Sequence, residues 1–562
     1  MTKKWETYDV DNVITERIAL ENNISSLLAR VLMNRGINTE EKIKKFLYPE
    51  LNDLYDPYML NDMVLAVERI NKAINENERV TIYGDYDVDG ITSITVLKQF
   101  LDERNVNVDY YLPNRLEEGY GLNNNALQKI KERGTTLLIT VDCGISAYNE
   151  IEFAKSIGMD VIVTDHHECP TTLPNAIAVI DPKRPDTTYP FNSLAGVGVT
   201  FKLIHALSIS MNLPAESFLK YLDIVCMGTV ADIVPLIEEN RVIVKYGLKY
   251  INNTKNIGLK ALINVSGYSD IDSSAISFGL APRINACGRM GDADIAVEML
   301  LTSDEVKANE IANKLQEKNK ERQEVEKGIM ADAVAKIEAN KMSNDNIIVV
   351  GSENWFHGVI GIVASKITEL YYKPSILVCF DGEAGKGSGR SIDGFDLHEA
   401  LNYASDHLQK YGGHEMAIGL SIEKNKFENF RNSIIEYANE KITEEYLPVI
   451  KIDSEINIKE VSGKTLEELN LLEPYGEGNM PPIFMCKNIK VDSIRTLSGD
   501  KHLKLNVKDG NIIFDAIAFN MGDKKDSIKM GDKVDILFHL EINRFNGRET
   551  IQLNVKDIKK SL

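Results

Sequence analysis

The stretch Val80-Thr81-Ile82-Tyr83-Gly84-Asp85-Tyr86-Asp87-Val88-Asp89-Gly90 decides how the rest of this sequence is interpreted. Its first four residues predict a short buried strand. Three aspartates follow at alternate positions, which would place their side chains on one face of extended backbone. Like charges so close together repel, so protons or a cation must neutralise them. A divalent metal held by oxygen ligands is the common solution, and the alternative is an acidic turn at the surface.

The residues beyond Gly90 predict an α/β sheet. Residues 91–103 have helical periodicity, and apolar strands then alternate with amphipathic helices, as in a parallel sheet covered on both faces. The predicted strands are residues 80–83, 107–111, 137–141, 160–164 and 176–180. Because ligands of open α/β sheets bind at the carboxyl ends of the strands, the residues after each strand are the candidates for a site.

Acidic and histidine side chains follow three of these strands. Asp142 follows the third strand, Asp165-His166-His167 the fourth and Asp181 the fifth. Each has a structural alternative, since Asp142 could be a helix N-cap and the Asp-His-His triplet could be an Asx-type turn with one histidine in the core. Together with the first three acids, they indicate a site for Mg²⁺ or Mn²⁺ at this edge of the sheet.

Length and composition narrow the class of protein. A chain of 562 residues predicts about three domains. No apolar run reaches the roughly 18 residues of a membrane span, and the first residues lack the apolar region of a signal peptide, so a cytoplasmic protein without a membrane partner is expected. Six cysteines without a C-x-x-C pair indicate neither a disulfide framework nor a thiolate zinc site.

The net charge of −20 and the pI of about 5.1 argue on their face against a nucleic-acid partner. A channel can nevertheless be locally basic while the outer surface is acidic. Net charge therefore does not exclude a focused site for nucleic acid.

Several motifs resemble those of the DHH phosphoesterases. The family-like motifs are Gly84-Asp85-Tyr86-Asp87-Val88-Asp89-Gly90, Val141-Asp142-Cys143-Gly144 and Asp165-His166-His167. Two more stretches are similar to one branch of that family, the bacterial exonucleases that degrade single-stranded DNA from the 5′ end. These stretches are Leu112-Pro113-Asn114-Arg115-Leu116-Glu117-Glu118-Gly119-Tyr120-Gly121-Leu122 and Ala281-Pro282-Arg283-Ile284-Asn285-Ala286-Cys287-Gly288-Arg289-Met290.

The resemblance implies a metal site with Mn²⁺ or Mg²⁺ as cofactor, and two bound ions. The implied ligands are Asp87, Asp89, Asp142, His166 and Asp232, with Asp85 as a ligand or the neighbour of one. Asp232 follows an apolar helix-like run and would be taken for an N-cap on the sequence alone, so its role as a ligand rests on the resemblance. The implied catalytic residues are His167, which would steady the scissile phosphate or the leaving group, together with Asp142 and Asp85.

The resemblance also implies a grip on the DNA backbone from two lobes. The implied phosphate or DNA contacts are Arg115, Tyr120, Arg283, Ser388, Arg390, Gly412, Gly413 and His414. Arginine suits this role because its planar fork binds two phosphate oxygens, and the alternative for Arg115 and Arg283 is a surface salt bridge. The stretches 385–391 and 411–414 are interpreted as glycine-rich phosphate loops. His357 lies one place away from the family's Trp-His-x-Gly pattern, so no role is transferred to it.

The chain divides into five predicted regions. They are a helical lead-in (1–75), a catalytic α/β domain (76–302), a connecting helix (303–340), a DHH-associated α/β domain (341–445) and an antiparallel barrel of the OB type (446–562). Asp509-Gly510 and Asn546-Gly547 predict hairpin turns in the barrel. The barrel residues expected to contact single strands are Lys501, His502, Lys504, Arg544, Phe545 and Arg548; a barrel that only docks or binds a protein is the alternative.

The resemblance implies hydrolysis of single-stranded DNA from the 5′ end by metal-activated water, in DNA repair and recombination; spacing and composition alone show neither the substrate nor the polarity. The expected partners are single-stranded DNA, a helicase and a single-strand-binding protein, and a monomer is expected. One alternative is a DHH-family phosphodiesterase of short oligonucleotides or cyclic dinucleotides. The other, of a different class, is a non-catalytic scaffold that binds single-stranded DNA.

Overall fold

The computed structural model describes residues 3–114, 118–119, 121–444, 446–545 and 548–561, without the side chains of residues 544, 545 and 548. The strands are β1 (Lys4–Thr7), β2 (Val80–Gly84), β3 (Val108–Tyr111), β4 (Leu137–Val141), β5 (Asp160–Thr164), β6 (Ala178–Ile180), β7 (Ile348–Ser352), β8 (Ser375–Asp381), β9 (Ala384–Arg390), β10 (Leu408–His414), β11 (Ala417–Glu423), β12 (Val449–Ile452), β13 (Ser454–Glu455), β14 (Phe484–Leu497), β15 (His502–Asp509), β16 (Ile512–Ala518), β17 (Lys533–Phe545) and β18 (Arg548–Lys560).

Helices separate several strands of the two lobes, and an unbroken series of helices connects β6 to β7. The α-helices are α1 (Asn12–Asn22), α2 (Ser26–Asn34), α3 (Glu40–Leu47), α4 (Met63–Asn75), α5 (Val88–Asp102), α6 (Asn124–Glu132), α7 (Tyr148–Ser156), α8 (Gly196–Ser210), α9 (Glu216–Leu219), α10 (Leu222–Ala231), α11 (Glu238–Ile251), α12 (Ile257–Ser266), α13 (Ala281–Met290), α14 (Asp294–Leu301), α15 (Glu305–Ala339), α16 (His357–Tyr371), α17 (Leu397–Tyr403), α18 (Phe427–Lys441) and α19 (Gly463–Leu469). Among the described helices, none combines the length and the apolar character needed to span a membrane.

The first lobe contains the predicted parallel sheet. Its strand order is β3-β2-β4-β5-β6, and every pair in it is parallel. Apolar side chains of α4, α5 and α8 bury the strands from one side, while α6 and α7 cover the other. The prediction of an α/β sheet covered on both faces is confirmed, and the carboxyl ends of β2, β4 and β5 lie side by side.

The three acids after β2 do not lie on extended backbone as predicted. Asp87 is the N-cap of α5, and its side chain accepts hydrogen bonds from the backbone N–H groups of Asp89 and Gly90. Asp85 therefore lies in a short loop and Asp89 in the first turn of the helix. Gly90 permits this tight turn, because a Cβ there would lie 2.3 Å from the carbonyl oxygen of Asp85.

The connecting helix α15 joins the two lobes as predicted. It has 35 residues, which corresponds to a length of about 50 Å. Its first part, including Leu315, packs into the core of the catalytic lobe, and its last part, including Ile329 and Ile337, packs into the second lobe.

The second lobe has a five-stranded sheet with the order β10-β11-β9-β8-β7. The stretch predicted as a glycine-rich phosphate loop is the inner strand β9. A Cβ at Gly385, Gly387 or Gly389 would lie within 3 Å of large side chains on the flanking strands, so these glycines make room for packing. The second glycine-rich stretch belongs to the edge strand β10 and its turn. Neither stretch forms the predicted loop, while the contact with phosphate that was expected of both stays a prediction.

The third domain is a closed barrel of five strands, formed by β14, β15, β16, β18 and β17, with β17 pairing back to β14. The predicted turn at Asp509-Gly510 is confirmed, since Asp509 pairs with Ile512 and Gly510 has φ +62°. The predicted turn at Asn546-Gly547 lies outside the described residues.

The first 75 residues contact two different domains. Helices α1 to α3 share the apolar core of the barrel, and β1 pairs in parallel with β12. Helix α4 instead packs on the catalytic sheet. The predicted domain limits stay a prediction.

Candidate metal centre

Seven side chains converge at the carboxyl edge of the catalytic sheet. They form three groups, and within each group the ligand atoms lie within 4.8 Å of one another. The groups are Asp85, Asp87 and Asp142; Asp89, His166 and Asp232; and Asp142, His166 and His167. Asp142 and His166 each belong to two groups, so the groups form one continuous cluster. The structure therefore brings together the six ligands that the resemblance implies, with His167, whereas Asp181, also expected at this edge of the sheet, is in none of the three groups.

Asp89 is fixed by the start of a neighbouring helix. Its two carboxylate oxygens accept hydrogen bonds from the backbone N–H groups of Gly196 and Val197, at 2.6 and 2.7 Å. These residues begin α8, whose N-terminus favours a negative charge. Gly196 also allows Asp142 to approach, because a Cβ there would lie 2.7 Å from the side chain of Asp142.

His166 provides the test of whether a metal fits. Its Nε2 atom is buried and has no hydrogen-bond partner among the described residues. Carboxylate oxygens of Asp142, Asp232 and Asp89 nevertheless lie 3.1, 3.6 and 3.8 Å from it. Two ligands on adjacent octahedral positions of Mg²⁺ are about 3 Å apart, since each lies about 2.1 Å from the ion. The donor atoms thus fit a hard divalent cation.

Burial and mutual repulsion disfavour the charged forms of the cluster. Burial, followed by the charge of Asp87, raises the pKa of Asp89 to about 7. Burial and the charge of Asp89 raise the pKa of Asp232 to about 9, and the same causes raise the pKa of Asp142 well above its usual range. Burial lowers the pKa of His166 to about 4, so its imidazole is neutral and able to bind a metal. A bound cation would remove the repulsion that shifts these carboxylates.

These shifts predict that the metal-free protein loses stability as the pH rises. Carboxylates whose pKa is raised in the folded state bind more protons there than in the unfolded chain, so stability falls between about pH 4 and pH 9. One proton lost per pH unit corresponds to about 1.4 kcal/mol. The melting temperature of EDTA-treated protein should therefore fall by roughly 5 °C from pH 5.5 to 7.5, and Mn²⁺ should stabilise it more at pH 7.5. A melting temperature that rises over this range without metal would contradict the assignment.

Asp165 holds His167, a role that the sequence does not indicate, although Asp165 belongs to the Asp-His-His triplet. Asp165 Oδ1 lies 2.6 Å from His167 Nδ1 and also accepts from the backbone N–H groups of His166 and His167, while Oδ2 accepts from that of Ile145. Burial opposes the charge on both residues, yet their hydrogen bond raises the pKa of His167 and lowers that of Asp165. Because this bond uses Nδ1, the ring would act on a substrate through Nε2. The Asx-type turn that the sequence allowed for Asp165-His166-His167 is present, and it orients the ring of His167.

The motif helix α13 supports the acidic loop. The side chain of Asn285 accepts a hydrogen bond from the backbone N–H of Val88 at 3.2 Å. A Cβ at Gly288 would lie 2.3 Å from the carbonyl oxygen of Tyr86. Both residues belong to the family-like stretch 281–290, but their contact with the loop depends on tertiary packing and has no local signal in the sequence.

The residues assigned to the DNA backbone lie on several elements. Arg283 of α13 is nearly buried and donates to the side chain of Gln316 at 2.7 Å and to the carbonyl of Gly279. Ser388 and Arg390 lie on the same face of β9, where Gly361 of α16 approaches both side chains. Gly412, Gly413 and His414 are exposed on the edge strand β10. Arg115 and Tyr120 lie outside the described residues.

Comparison with known proteins identifies the class. Residues 79–229 match the "DHH family, N-terminal domain", residues 344–440 the "DHHA1 domain" and residues 452–557 the "RecJ OB domain". The sheet, the ligand cluster and these regions define a phosphoesterase of the DHH class. The chain is also 39% identical over 560 residues to the single-stranded-DNA-specific exonuclease RecJ of Bacillus subtilis, with 99% of this chain and 70% of that protein covered. The chain belongs to the RecJ family.

Solved structures agree with this assignment. The crystal structure of RecJ from Thermus thermophilus in complex with Mn²⁺ matches with a TM-score of 0.86 and 28% identity, over 100% of this chain and 80% of that chain. The corresponding complex with Mg²⁺ matches with a TM-score of 0.80 and 26% identity, over 100% and 79%.

Proposed function

We propose that this protein is a metal-dependent exonuclease that hydrolyses phosphodiester bonds of single-stranded DNA from the 5′ end. The observation that carries the proposal is the complete cluster of acids and histidines at the sheet edge, in a chain 39% identical to a single-stranded-DNA-specific exonuclease. The OB barrel supports a single-stranded substrate, because such barrels hold single strands by stacking and basic side chains. The intact cluster also disfavours a non-catalytic scaffold.

The cofactor is Mn²⁺ or Mg²⁺, the ions bound in the two related Thermus structures. The residues that hold it are Asp85, Asp87, Asp89, Asp142, His166 and Asp232. The overlap of three ligand groups supports two ions. When bound, they supply the activation of water and the neutralisation of charge on the phosphate. His167, oriented by Asp165, steadies the scissile phosphate or the leaving group.

The proposed grip on the DNA comes from both lobes. Arg283 of the first lobe contacts the DNA backbone, and the same role is proposed for Arg115 and Tyr120. Ser388, Arg390, Gly412, Gly413 and His414 of the second lobe hold the 5′-terminal phosphate. The barrel residues Lys501, His502 and Lys504 contact the strand beyond; the side chains of Arg544, Phe545 and Arg548, which are predicted for the same surface, lie outside the described residues.

Digestion of end-labelled DNA tests the proposal directly. Single-stranded and double-stranded substrates labelled at either end are incubated with Mn²⁺ or with EDTA. We expect mononucleotide release from the 5′ end of the single strand only, and only with Mn²⁺. Degradation of the duplex at the same rate, or activity in EDTA, would refute the assignment.

Arg390 provides a test of the 5′-phosphate site. Arg390→Ala should reduce the preference for 5′-phosphorylated over 5′-hydroxyl ends by about 10- to 100-fold, because a charge-assisted hydrogen bond contributes about 1.5–3 kcal/mol. The ratio of kcat/KM for the two substrates is the measurement. The control is Lys386→Ala, which removes a positive charge from the same face of β9. An unchanged ratio in Arg390→Ala, or an equal change in both variants, would remove Arg390 from this role.

The cellular setting is part of the same proposal. A family of single-strand-specific exonucleases suits DNA repair and recombination, in which strands must first be opened. We therefore expect a helicase and a single-strand-binding protein as partners, a cytoplasmic location and a monomer. The predicted domain limits, 1–75, 76–302, 303–340, 341–445 and 446–562, belong to the proposal as well.

A further inference from the structure

The loop that follows the proposed ligand Asp232 has a strained backbone. Asp232 caps the C-terminus of α10, and the loop 233–237 leads to α11. Ile233 has φ +60°, a conformation that is a genuine outlier for a β-branched residue. Its side chain is 70% exposed, so its own packing does not hold it there. Such a conformation persists only where the surroundings impose it.

A segment of the third domain lies directly against this loop. We call residues 471–479, which lead into the barrel, the barrel-entry segment. The backbone N–H of Leu236 donates to the carbonyl of Glu477 at 2.7 Å. A Cβ at Gly478 would lie 3.0 Å from Cβ of Pro235, and one at Gly476 would lie 2.5 Å from Leu236. The barrel-entry segment therefore packs directly against residues 235 and 236 of the loop.

Arg241 joins this segment to the helix after the loop. It is 1% exposed, and its guanidinium donates to five backbone carbonyls. The acceptors are Phe46 (2.6 Å), Leu471 (3.0 Å), Leu472 (2.9 Å), Glu473 (2.8 Å) and Pro474 (3.4 Å). Four of them are consecutive residues of the barrel-entry segment. A guanidinium has five N–H donors, so this side chain uses four of them on the barrel-entry segment and the fifth on Phe46 of α3.

The two residues before Arg241 fix the loop to the catalytic lobe. Asn240 donates to the carbonyls of Pro235, within the loop, and Ser193, just before α8, at 3.1 and 2.6 Å. Glu239 forms a fully buried ion pair with Lys202 of α8 at 2.6 Å. Helix α8 is the one whose first N–H groups hold Asp89. The loop is thus held between a helix that positions one ligand and a segment of another domain.

We propose that Arg241 and the barrel-entry segment are positioning elements for Asp232, so that the third domain sets the metal affinity of the catalytic domain. The inference rests on the proposed function, in which Asp232 is a ligand. The barrel then has a role in the metal site that is separate from any contact it makes with DNA. Loss of the contact would release the strained loop and displace Asp232, whose carboxylate lies 3.6 Å from His166.

A double-mutant cycle tests the inference in the full chain. Mn²⁺ binding is measured by the electron paramagnetic resonance signal of free Mn²⁺ in the unaltered protein, Arg241→Gln, Asp232→Asn and the double variant. We expect Arg241→Gln to weaken binding by about tenfold, the lower end of the effect of a residue that orients a ligand. In the Asp232→Asn background, Arg241→Gln should cause no further loss of Mn²⁺ affinity. It should lower the melting temperature in both the unaltered and the Asp232→Asn background.

The outcomes separate the two hypotheses. If Asp232→Asn leaves Mn²⁺ binding unchanged, the assignment of the ligand fails. If Asp232→Asn weakens binding but Arg241→Gln has no effect, or has the same effect in both backgrounds, the positioning role fails.

A glycine pair gives a second test that does not disturb the buried arginine. Gly478 and Gly499 have φ +68° and +65°, so alanine strains the backbone equally at both. Only at Gly478 would the added Cβ press on Pro235, because nothing lies within 4 Å of the Cβ position at Gly499. Gly478→Ala should weaken Mn²⁺ binding severalfold while Gly499→Ala leaves it unchanged, with similar losses in melting temperature. Equal Mn²⁺ affinities in the two glycine variants would overturn the inference. This test remains decisive even if Arg241→Gln does not fold.

Discussion

Asp142→Ala should lower Mn²⁺-dependent hydrolysis of single-stranded DNA by about 10³-fold or more while leaving DNA binding largely in place. Asp142 belongs to two of the three ligand groups, and its carboxylate lies 3.1 Å from His166 Nε2. Its loss therefore disturbs both halves of the cluster. Metal ions contribute several kcal/mol to such a reaction, and each 1.4 kcal/mol is a factor of ten in rate. Single-turnover cleavage at saturating DNA measures the effect, and binding is measured separately in EDTA.

The control for this variant is another buried acid of the same lobe. Asp223 lies on α10 and accepts a hydrogen bond from Thr254 at 2.5 Å, outside the ligand groups. Asp223→Ala should lower stability but keep the rise in melting temperature that Mn²⁺ produces. In Asp142→Ala, Mn²⁺ should no longer raise the melting temperature, because a ligand is missing. The metal-free variant should not be less stable than the unaltered protein at pH 8, because a repelling charge is also missing. Full activity in Asp142→Ala would refute the metal assignment.

The strand ends could be predicted from the sequence because their signals are local. Apolar runs such as 137–141 are bounded by polar residues, and parallel strands bring their carboxyl ends to one edge. The positions of Asp142 and His166 follow from this rule alone. Asp232 does not follow a strand, so only a family resemblance could assign it.

The local backbone of the acidic stretch could not be predicted with the same reasoning. An aspartate after a strand fits both extended backbone and a helix N-cap, and the N-cap at Asp87 prevailed because its side chain bonds the N–H groups of Asp89 and Gly90. The strand β9 shows the same limit. Its glycines resemble a phosphate loop, but the structure has them in a strand because Phe380, Leu420 and Ile418 fill the space on that face.

Contacts between distant parts of the chain were beyond the sequence altogether. The pairing of Lys4 with Val449 and the shared core of α1 to α3 with the barrel have no local signal. They also change how the role of the barrel should be tested. A truncation at residue 446 would expose the apolar faces of α1 to α3 and remove the barrel-entry segment, so point variants on the barrel surface are the better probe of DNA binding.

Asp165→Asn should lower kcat by about 10–100-fold with little change in KM. Asp165 is in none of the ligand groups but bonds the ring of His167, and replacing a partner that orients a site residue has an effect of this size. The hydrogen bond of the Asp165 carboxylate, together with its charge, raises the pKa of His167 against the effect of burial. Without that charge the pKa of His167 falls, so activity that needs the protonated ring should be lost at a lower pH. The measurement is the pH profile of kcat, whose alkaline limb should move to lower pH.

His167→Ala provides the comparison that separates orientation from general damage. If Asp165 acts through His167, the single variants lose similar activity, and the double variant loses no more than His167→Ala alone, since residues that act as a unit are not additive. Mn²⁺ affinity should stay close to that of the unaltered protein in Asp165→Asn, because the ligands Asp89, Asp142 and His166 remain. A multiplicative loss in the double variant would show that Asp165 acts by another route. The carboxylate that also accepts from the N–H of Ile145 would then support the sheet edge itself.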